Sequence, residues 1–190
     1  MATGSPNVVA VAGQLAAPSY LGETQLVTGG AVVSATNPVP VLGTSVRVDV
    51  TPTVTAQTYA VSKVIGGIMT FANVLPASLG GVLESLTVKF KGSTQTVGFW
   101  VAIFDTSPTG TFTDTNTAAI ASTDTAFLRA MCHLTVPSSM LGTHTIYNLN
   151  GIGQVIVGQT TSLYVVVVPD ATTASITLLD MTVELGMLWG

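Results

Sequence analysis

Charge is what this sequence has least of. Asp, Glu, Lys and Arg make up 7% of its 190 residues, against about 25% in an ordinary soluble domain. Hydrophobic residues make up 47%. A dispersed monomer keeps charge on its surface, so a chain this apolar and this neutral is expected to cover much of its surface with copies of itself or with a larger assembly. Only five residues are basic and the net charge is −4, which leaves no basic patch for phosphates and argues against nucleic acid as a partner. The single cysteine, Cys132, excludes an internal disulfide and a cysteine-based zinc cluster.

Long hydrophobic runs are also missing. Thr, Ser, Gly and Pro interrupt every apolar stretch well short of the roughly 18 residues a spanning helix needs. Aromatics, at 6%, are too few for the two interfacial girdles of an outer-membrane barrel, so a membrane is not expected as a partner. No Lys or Arg precedes Arg47, and the positive n-region of a secretory signal is therefore absent. The expected place of synthesis is a cytoplasm, with release by lysis.

What is present is strand pattern. In SVRVDVT, Val46, Val48 and Val50 fall on one face and Arg47, Asp49 and Thr51 on the other. In SLTVKFK, Leu86, Val88 and Phe90 alternate with Thr87, Lys89 and Lys91. VIGGIMTFANVL reads as a strand whose Gly66-Gly67 pair marks a bulge or a close backbone approach. VGFWVAIF and SLYVVVVP are near-continuous β-branched and aromatic runs, expected to be buried on both faces or covered on the second by a neighbour. LRAMCHLTV, THTIYNL and GQVIV are further strands. The closing ASITLLDMTVELGMLW alternates with a slip at Leu178-Leu179-Asp180 that suggests a bulge. The one helical candidate, TDTAFLRAM (123–131), is a turn or two capped by Thr123 or Asp124. About eight or nine strands with turn residues between them indicate an all-β, antiparallel β-sandwich of jelly-roll-like type.

Residues 1–45 differ, with one charge, Glu23, and scattered Gly, Pro and Ala. They are read as an extended N-terminal arm with short strand-like pieces (VVAVA, QLV, AVV) that orders against a partner, followed by the sandwich over 46–190. The alternative is one or two further edge strands on the same domain.

The loop FDTSPTGTFTDTNTA (104–118) offers Asp105, Asp114 and Asn116 as oxygen ligands, but it lacks the glycine and the bidentate glutamate of an EF-hand. Thr, Ser, Asp and Asn also bond neighbouring backbone groups, which makes a structural connection the better reading. Cys132 and His133 are neighbours on a strand, point to opposite faces and cannot form a nucleophile pair; Cys132 with His144 remains open. No G-x-S-x-G context surrounds any serine, and the glycine pairs lack the setting of a nucleotide loop. No enzyme activity, cofactor or metal is expected. Trp100 and Trp189 lie in apolar runs, pointing to core or subunit contact rather than sugar stacking.

The order of these blocks adds to the reading. AQTYAVSKVIGGIMTFANV (56–74) has the form Y-x6-GG, and it is followed by GGVLESLTVKFK. Next comes VAIFDTSPTGTFTDTNTA, of the form FD-x-x-P…F-x-D, then TSLYVVVV and TLLDMTVELGML. The succession, over residues 52–188, resembles a family of small virion proteins of tailed bacteriophages. Residues 62–65 read Ser-Lys-Val-Ile where many relatives carry a Gly-Asp pair, and residues 1–45 match no family motif. The resemblance implies a capsid decoration (cement) protein on the exterior of the head, often trimeric, with the major capsid protein as partner. The expected contact residues are Leu15, Tyr20, Leu21, Val32 and Val39 of the arm, together with Arg47 and Lys63; Lys89 and Lys91 are further cations available to an acidic shell. A tail or receptor-binding module recognising host glycan or protein is the alternative.

Overall fold

The computed structural model describes residues 26–28, 31–33, 44–76 and 80–189. The chain divides into two units, 1–42 and 43–190. In the first, strand β1 (Leu26–Thr28) pairs antiparallel with β2 (Ala31–Val33), placing Val27 opposite Val32.

The second unit carries nine strands: β3 (Thr44–Val50), β4 (Ile65–Phe71), β5 (Gly80–Phe90), β6 (Phe99–Phe104), β7 (Leu128–Leu134), β8 (Ser139–Leu141), β9 (His144–Val157), β10 (Leu163–Pro169) and β11 (Met181–Trp189). They form a four-stranded sheet, β4-β10-β6-β7, and a five-stranded sheet, β3-β11-β5-β9-β8. All of their pairings are antiparallel. With the short β8 set aside, the pairing is nested: β3 with β11, β4 with β10, β5 with β9, β6 with β7. The strands thus make one long antiparallel ribbon, and rolling it up creates the extra contacts β11-β5 and β10-β6. That is the double Greek-key jelly roll.

The two-residue period puts the core where the sequence implied. Leu86, Val88 and Phe90 of β5 meet Val183, Leu185 and Met187 of β11, Val101 and Ile103 of β6, and Val165 and Val167 of β10 in one buried cluster. An aromatic trio stitches the two sheets together: Phe99 of β6 lies 5.1 Å from Phe90 and 5.0 Å, edge-on, from Tyr147 of β9. The Tyr147 hydroxyl donates to the Val97 carbonyl at 2.6 Å. Burial, with the negative charge of Asp170 adding to it, pushes that phenol up to about 12.

Three local expectations change. THTIYNL and GQVIV are one strand, β9, bent where Gly151–Gly153 fall out of register opposite Glu84. The slip at Leu178–Asp180 is a turn rather than a bulge, with Leu179 at φ +60° and β11 starting at Met181. The helical candidate shrinks to one 3-10 turn, Asp124–Ala126, because β7 starts at Leu128. Thr123 makes no capping bond; Asp124 instead binds the connection ahead of it.

Gly66 and Gly67 serve both roles proposed for them. The ladder between β10 and β4 shifts register there, and both glycines have positive φ, +73° and +75°. A Cβ on Gly66 would sit 2.5 Å from Cβ of Pro52, whereas one on Gly67 would meet nothing nearer than 3.5 Å. Gly67→Ala is therefore expected to cost only the left-handed penalty, about 1–2 kcal/mol. Gly66→Ala adds a steric overlap, for a total of about 2–4 kcal/mol. Urea midpoints of the two variants check the difference, and equal losses would contradict the close approach of Pro52.

Candidate functional site

Alternating strand direction sorts the connections to two ends of the roll. Connections 51–64, 91–98, 135–143 (which holds the short β8) and 170–180 lie at one end, and 72–76, 105–127 and 158–162 at the other. The first four are tied together. Gln57 and Ile176 exchange backbone bonds at 3.0 and 2.9 Å. Tyr59 N–H donates to Thr173 Oγ1 at 2.8 Å and Ala174 N–H to Gln95 Oε1 at 3.0 Å. Gly92 N–H and the Ser93 hydroxyl both donate to the Asp180 carboxylate, and Thr94 Oγ1 donates to the Gly142 carbonyl at 3.2 Å.

Five of the six aspartates are bonded within the fold; the sixth, Asp49, is exposed on β3. Asp170 accepts from Gly98 N–H at 2.8 Å and lies 2.9 Å from His133 Nε2. Asp124 accepts from the N–H groups of Thr109 (2.9 Å) and Gly110 (2.7 Å). Its carboxyl is lowered, first by the Thr109 backbone bond. Asp114 accepts from Gly66 N–H (2.6 Å), Thr55 N–H (2.8 Å) and the Tyr59 hydroxyl (2.9 Å). Burial alone would raise Asp114; the bonds from Thr55 and Gly66 outweigh it and the carboxyl is lowered. Asp105, wholly buried, pairs with Arg129 at 2.6 Å. Asp105 and Asp114 thus hold different partners, and among the described residues no three His, Cys, Asp or Glu side chains gather as a metal site.

The FDTSPTGTFTDTNTA loop has a packing task. It folds over the outer face of the four-stranded sheet, where Phe112 meets Phe104 at 5.8 Å and joins Val64, Ala102 and Val166 in a second apolar cluster. Reciprocal bonds between Val64 and the segment Thr115–Asn116, at 2.8 and 2.9 Å, fasten it. The runs VGFWVAIF and SLYVVVVP are consequently buried on both faces along most of their length.

Cys132 faces the core, and burial raises its thiol pKa. His133 faces outward, stacked on Trp100 at 3.9 Å, while His144 is exposed at the start of β9. Trp100 is therefore not a core residue: the period of β6 turns it outward, and it is 39% exposed. Trp189 is half-buried and donates from Nε1 to the Val74 carbonyl at 2.9 Å.

Of the seven expected contact residues, Leu15, Tyr20, Leu21 and Val39 lie outside the described residues, and Val32 stands opposite Val27 in β2. Arg47 lies on the outer face of β3, 3.3 Å from Glu184, which also holds Lys89 at 2.5 Å. That carboxyl is lowered, chiefly by the Lys89 bond. Lys63 donates to Thr117 Oγ1 at 3.1 Å. Arg47 sits on a strand of the five-stranded sheet, whereas Lys63 sits in the connection 51–64, bridged to Thr117.

The sequence reading missed the surface that stands out most. Six of the eleven large apolar side chains exposed among the described residues sit at the first end: Val61, Val136, Leu178 and Leu179 on its connections, and Met140 and Leu141 on the short strand β8. Leu141 is 80% exposed. The ionisable side chains of those four connections, apart from Tyr59, are Lys63, Lys91, Asp170 and Asp180, and both aspartates are clasped. The signal was available in apolar residues set within turn-formers, as in VPSSMLGT and SITLLD.

No family model matches the chain, and no curated protein matches it. Among solved structures it is similar to one from tomato aspermy virus, at 12% identity and a TM-score of 0.39, covering 90% of this protein and 88% of that one. It is also similar to one from the T13 particle of infectious bursal disease virus, at 12% identity and a TM-score of 0.36, covering 88% of this protein and 35% of that one. Another from the Gx strain of the same virus gives 10% identity and a TM-score of 0.34, covering 87% and 35%. Superpositions this loose carry no argument about function, which rests on the protein's own surface.

The clasps set a pH dependence. Asp114, Asp124 and Glu184 all have lowered carboxyl pKa values. Their contribution is complete above the ordinary carboxyl range and is lost as pH falls through the lowered values. Unfolding free energy is expected to hold steady at neutral pH and to decline below about pH 4. Asp114→Asn is expected to cost about 1–2 kcal/mol at neutral pH and to flatten the acid limb, as read by urea titrations across pH.

Proposed function

We propose that this protein is a structural component of a virus particle that acts by binding alone, with its uncharged loop end as the surface that packs against neighbouring subunits. Leu179 carries the proposal. It is 54% exposed and holds φ +60°, a left-handed conformation that costs a non-glycine residue about 1–2 kcal/mol. An apolar side chain in water on a strained backbone is doubly unfavourable in the isolated subunit. Burial against a partner removes the first penalty and supplies a reason to tolerate the second. The neighbouring Leu178, Leu141 and Met140 extend the same apolar surface across connections locked by Asp180 and Thr94.

The finer reading is a decoration (cement) protein on the head exterior of a tailed phage, trimeric and seated on the major capsid protein. The order of sequence motifs supports it, as does the jelly roll, an architecture that recurs in viral capsid domains. In this reading residues 1–45 act as an arm, through Leu15, Tyr20, Leu21, Val32 and Val39, and Arg47 and Lys63 face acidic shell surface. Many weak apolar contacts repeated over a shell add up by avidity. A receptor-binding module is the second reading, favoured by Trp100, half-exposed and stacked on His133 beside Asp170.

Co-sedimentation with purified expanded shells, together with solution mass, tests the proposal. The native protein should bind saturably, and Leu141→Asp with Leu178→Asp should abolish binding without unfolding the roll. Leu179→Asn should stabilise the isolated subunit by up to about 1 kcal/mol yet lower shell occupancy. Deleting residues 1–42 should leave a folded roll that binds poorly. Full occupancy of the leucine variants would overturn the loop-end contact, and host-glycan binding without shell binding would favour the second reading.

A further inference from the structure

One Asn-Gly pair occurs in this sequence, Asn150-Gly151, and the fold displays it in β9 where the strand leaves its ladder. Asn150 is paired with Ser85, and the next register pair is Gln154 with Leu83. Gly151, Ile152 and Gly153 thus stand opposite the single residue Glu84. Both glycines have positive φ, +64° and +66°, and nothing lies within 4 Å of where their Cβ atoms would be. Among the described residues β9 is an edge strand here, because β8 covers it only from His144 to Ile146. Asn150 is exposed.

Asn148, two residues earlier, is a built-in comparison. Its Oδ1 accepts from Thr87 Oγ1 at 3.1 Å, its backbone N–H donates to Ser138 Oγ at 2.9 Å, and a leucine follows it. Asn150 has neither restraint on its side chain nor a Cβ on the residue that follows. It lines an open cleft of about 440 Å³ with Arg47, Glu84, Ser85, Gly151 and Leu188.

From this geometry we infer that Asn150 is a site of spontaneous backbone-assisted deamidation in the folded protein. The Gly151 amide nitrogen gives up its proton to solvent and attacks Asn150 Cγ. The bond from Cγ to Nδ2 breaks and ammonia leaves, closing a five-membered succinimide. Water then opens either ring carbonyl, giving aspartate or isoaspartate. The net change is one water in and one ammonia out, with no redox step. Glycine permits the attack because it has no Cβ to crowd the nitrogen, and the bulge permits it because residues 151–153 have no ladder register to break. Either product places a new carboxylate in the cavity that Arg47 and Glu84 share. Isoaspartate also lengthens the edge strand by one backbone carbon.

The test is peptide mapping of the full-length protein after incubation in mildly alkaline buffer, native and in urea, with isoaspartate scored at each asparagine. In the native protein Asn150 should convert faster than Asn148 by roughly tenfold or more, and about as fast as in urea. Asn150→Gln should remove the signal, since a six-membered ring closes far more slowly. Gly151→Ala should slow conversion while circular dichroism reports the retained roll. Conversion in urea alone, with native Asn150 intact, would mean that the fold protects the site and would overturn the inference. So would native rates equal at Asn150 and Asn148.

Discussion

The sheet β4-β10-β6-β7 is apolar on both faces, and the rest of the molecule is arranged around that constraint. One face meets the partner sheet in the main core, and the other needs a lid. The connection 105–127 supplies it by laying Phe112 across Phe104, Ala102 and Val166. Asp114 then fastens the lid through Thr55, Tyr59 and Gly66. A charged acceptor suits this place because three donors converge on it, two of them backbone N–H groups that no strand ladder takes up.

The same logic explains how a protein with nine acids and five bases behaves as a folded domain. Asp49 and Glu84 are exposed, but most of its described carboxylates are drawn into bonds within the fold. Asp114, Asp170 and Asp180 each receive backbone N–H groups from segments distant in sequence, Asp124 receives those of its own connection, and Glu184 gathers Arg47 and Lys89 across three strands. The loop end is cross-tied by hydrogen bonds, carries no net charge and is studded with leucine, methionine and valine.

Strand content was legible because burial imposes a period of two. Val46, Val48 and Val50, or Leu86, Val88 and Phe90, read inward in the sequence and lie inward or half-inward in the roll. Gly66-Gly67 was legible as an interruption of that period. Trp100 was not, since an aromatic in an apolar run reads the same whether it points to the core or to solvent. The turn at Leu178-Leu179 was misread for a related reason. Two leucines before a strand resemble a bulge, and only the left-handed φ of Leu179 separates the two.

By itself, then, the sequence determined an all-β protein, its strands and their inward faces, because periodicity is a local property that burial writes directly into the residues. The tertiary structure decided the nested pairing that makes the roll, the convergence of Asp114 on three distant donors and the gathering of Leu141 with Leu178 and Leu179 at one end. Those depend on which segments meet across more than a hundred residues of β-ribbon in some cases, as β3 meets β11, and no short window of sequence records such a meeting.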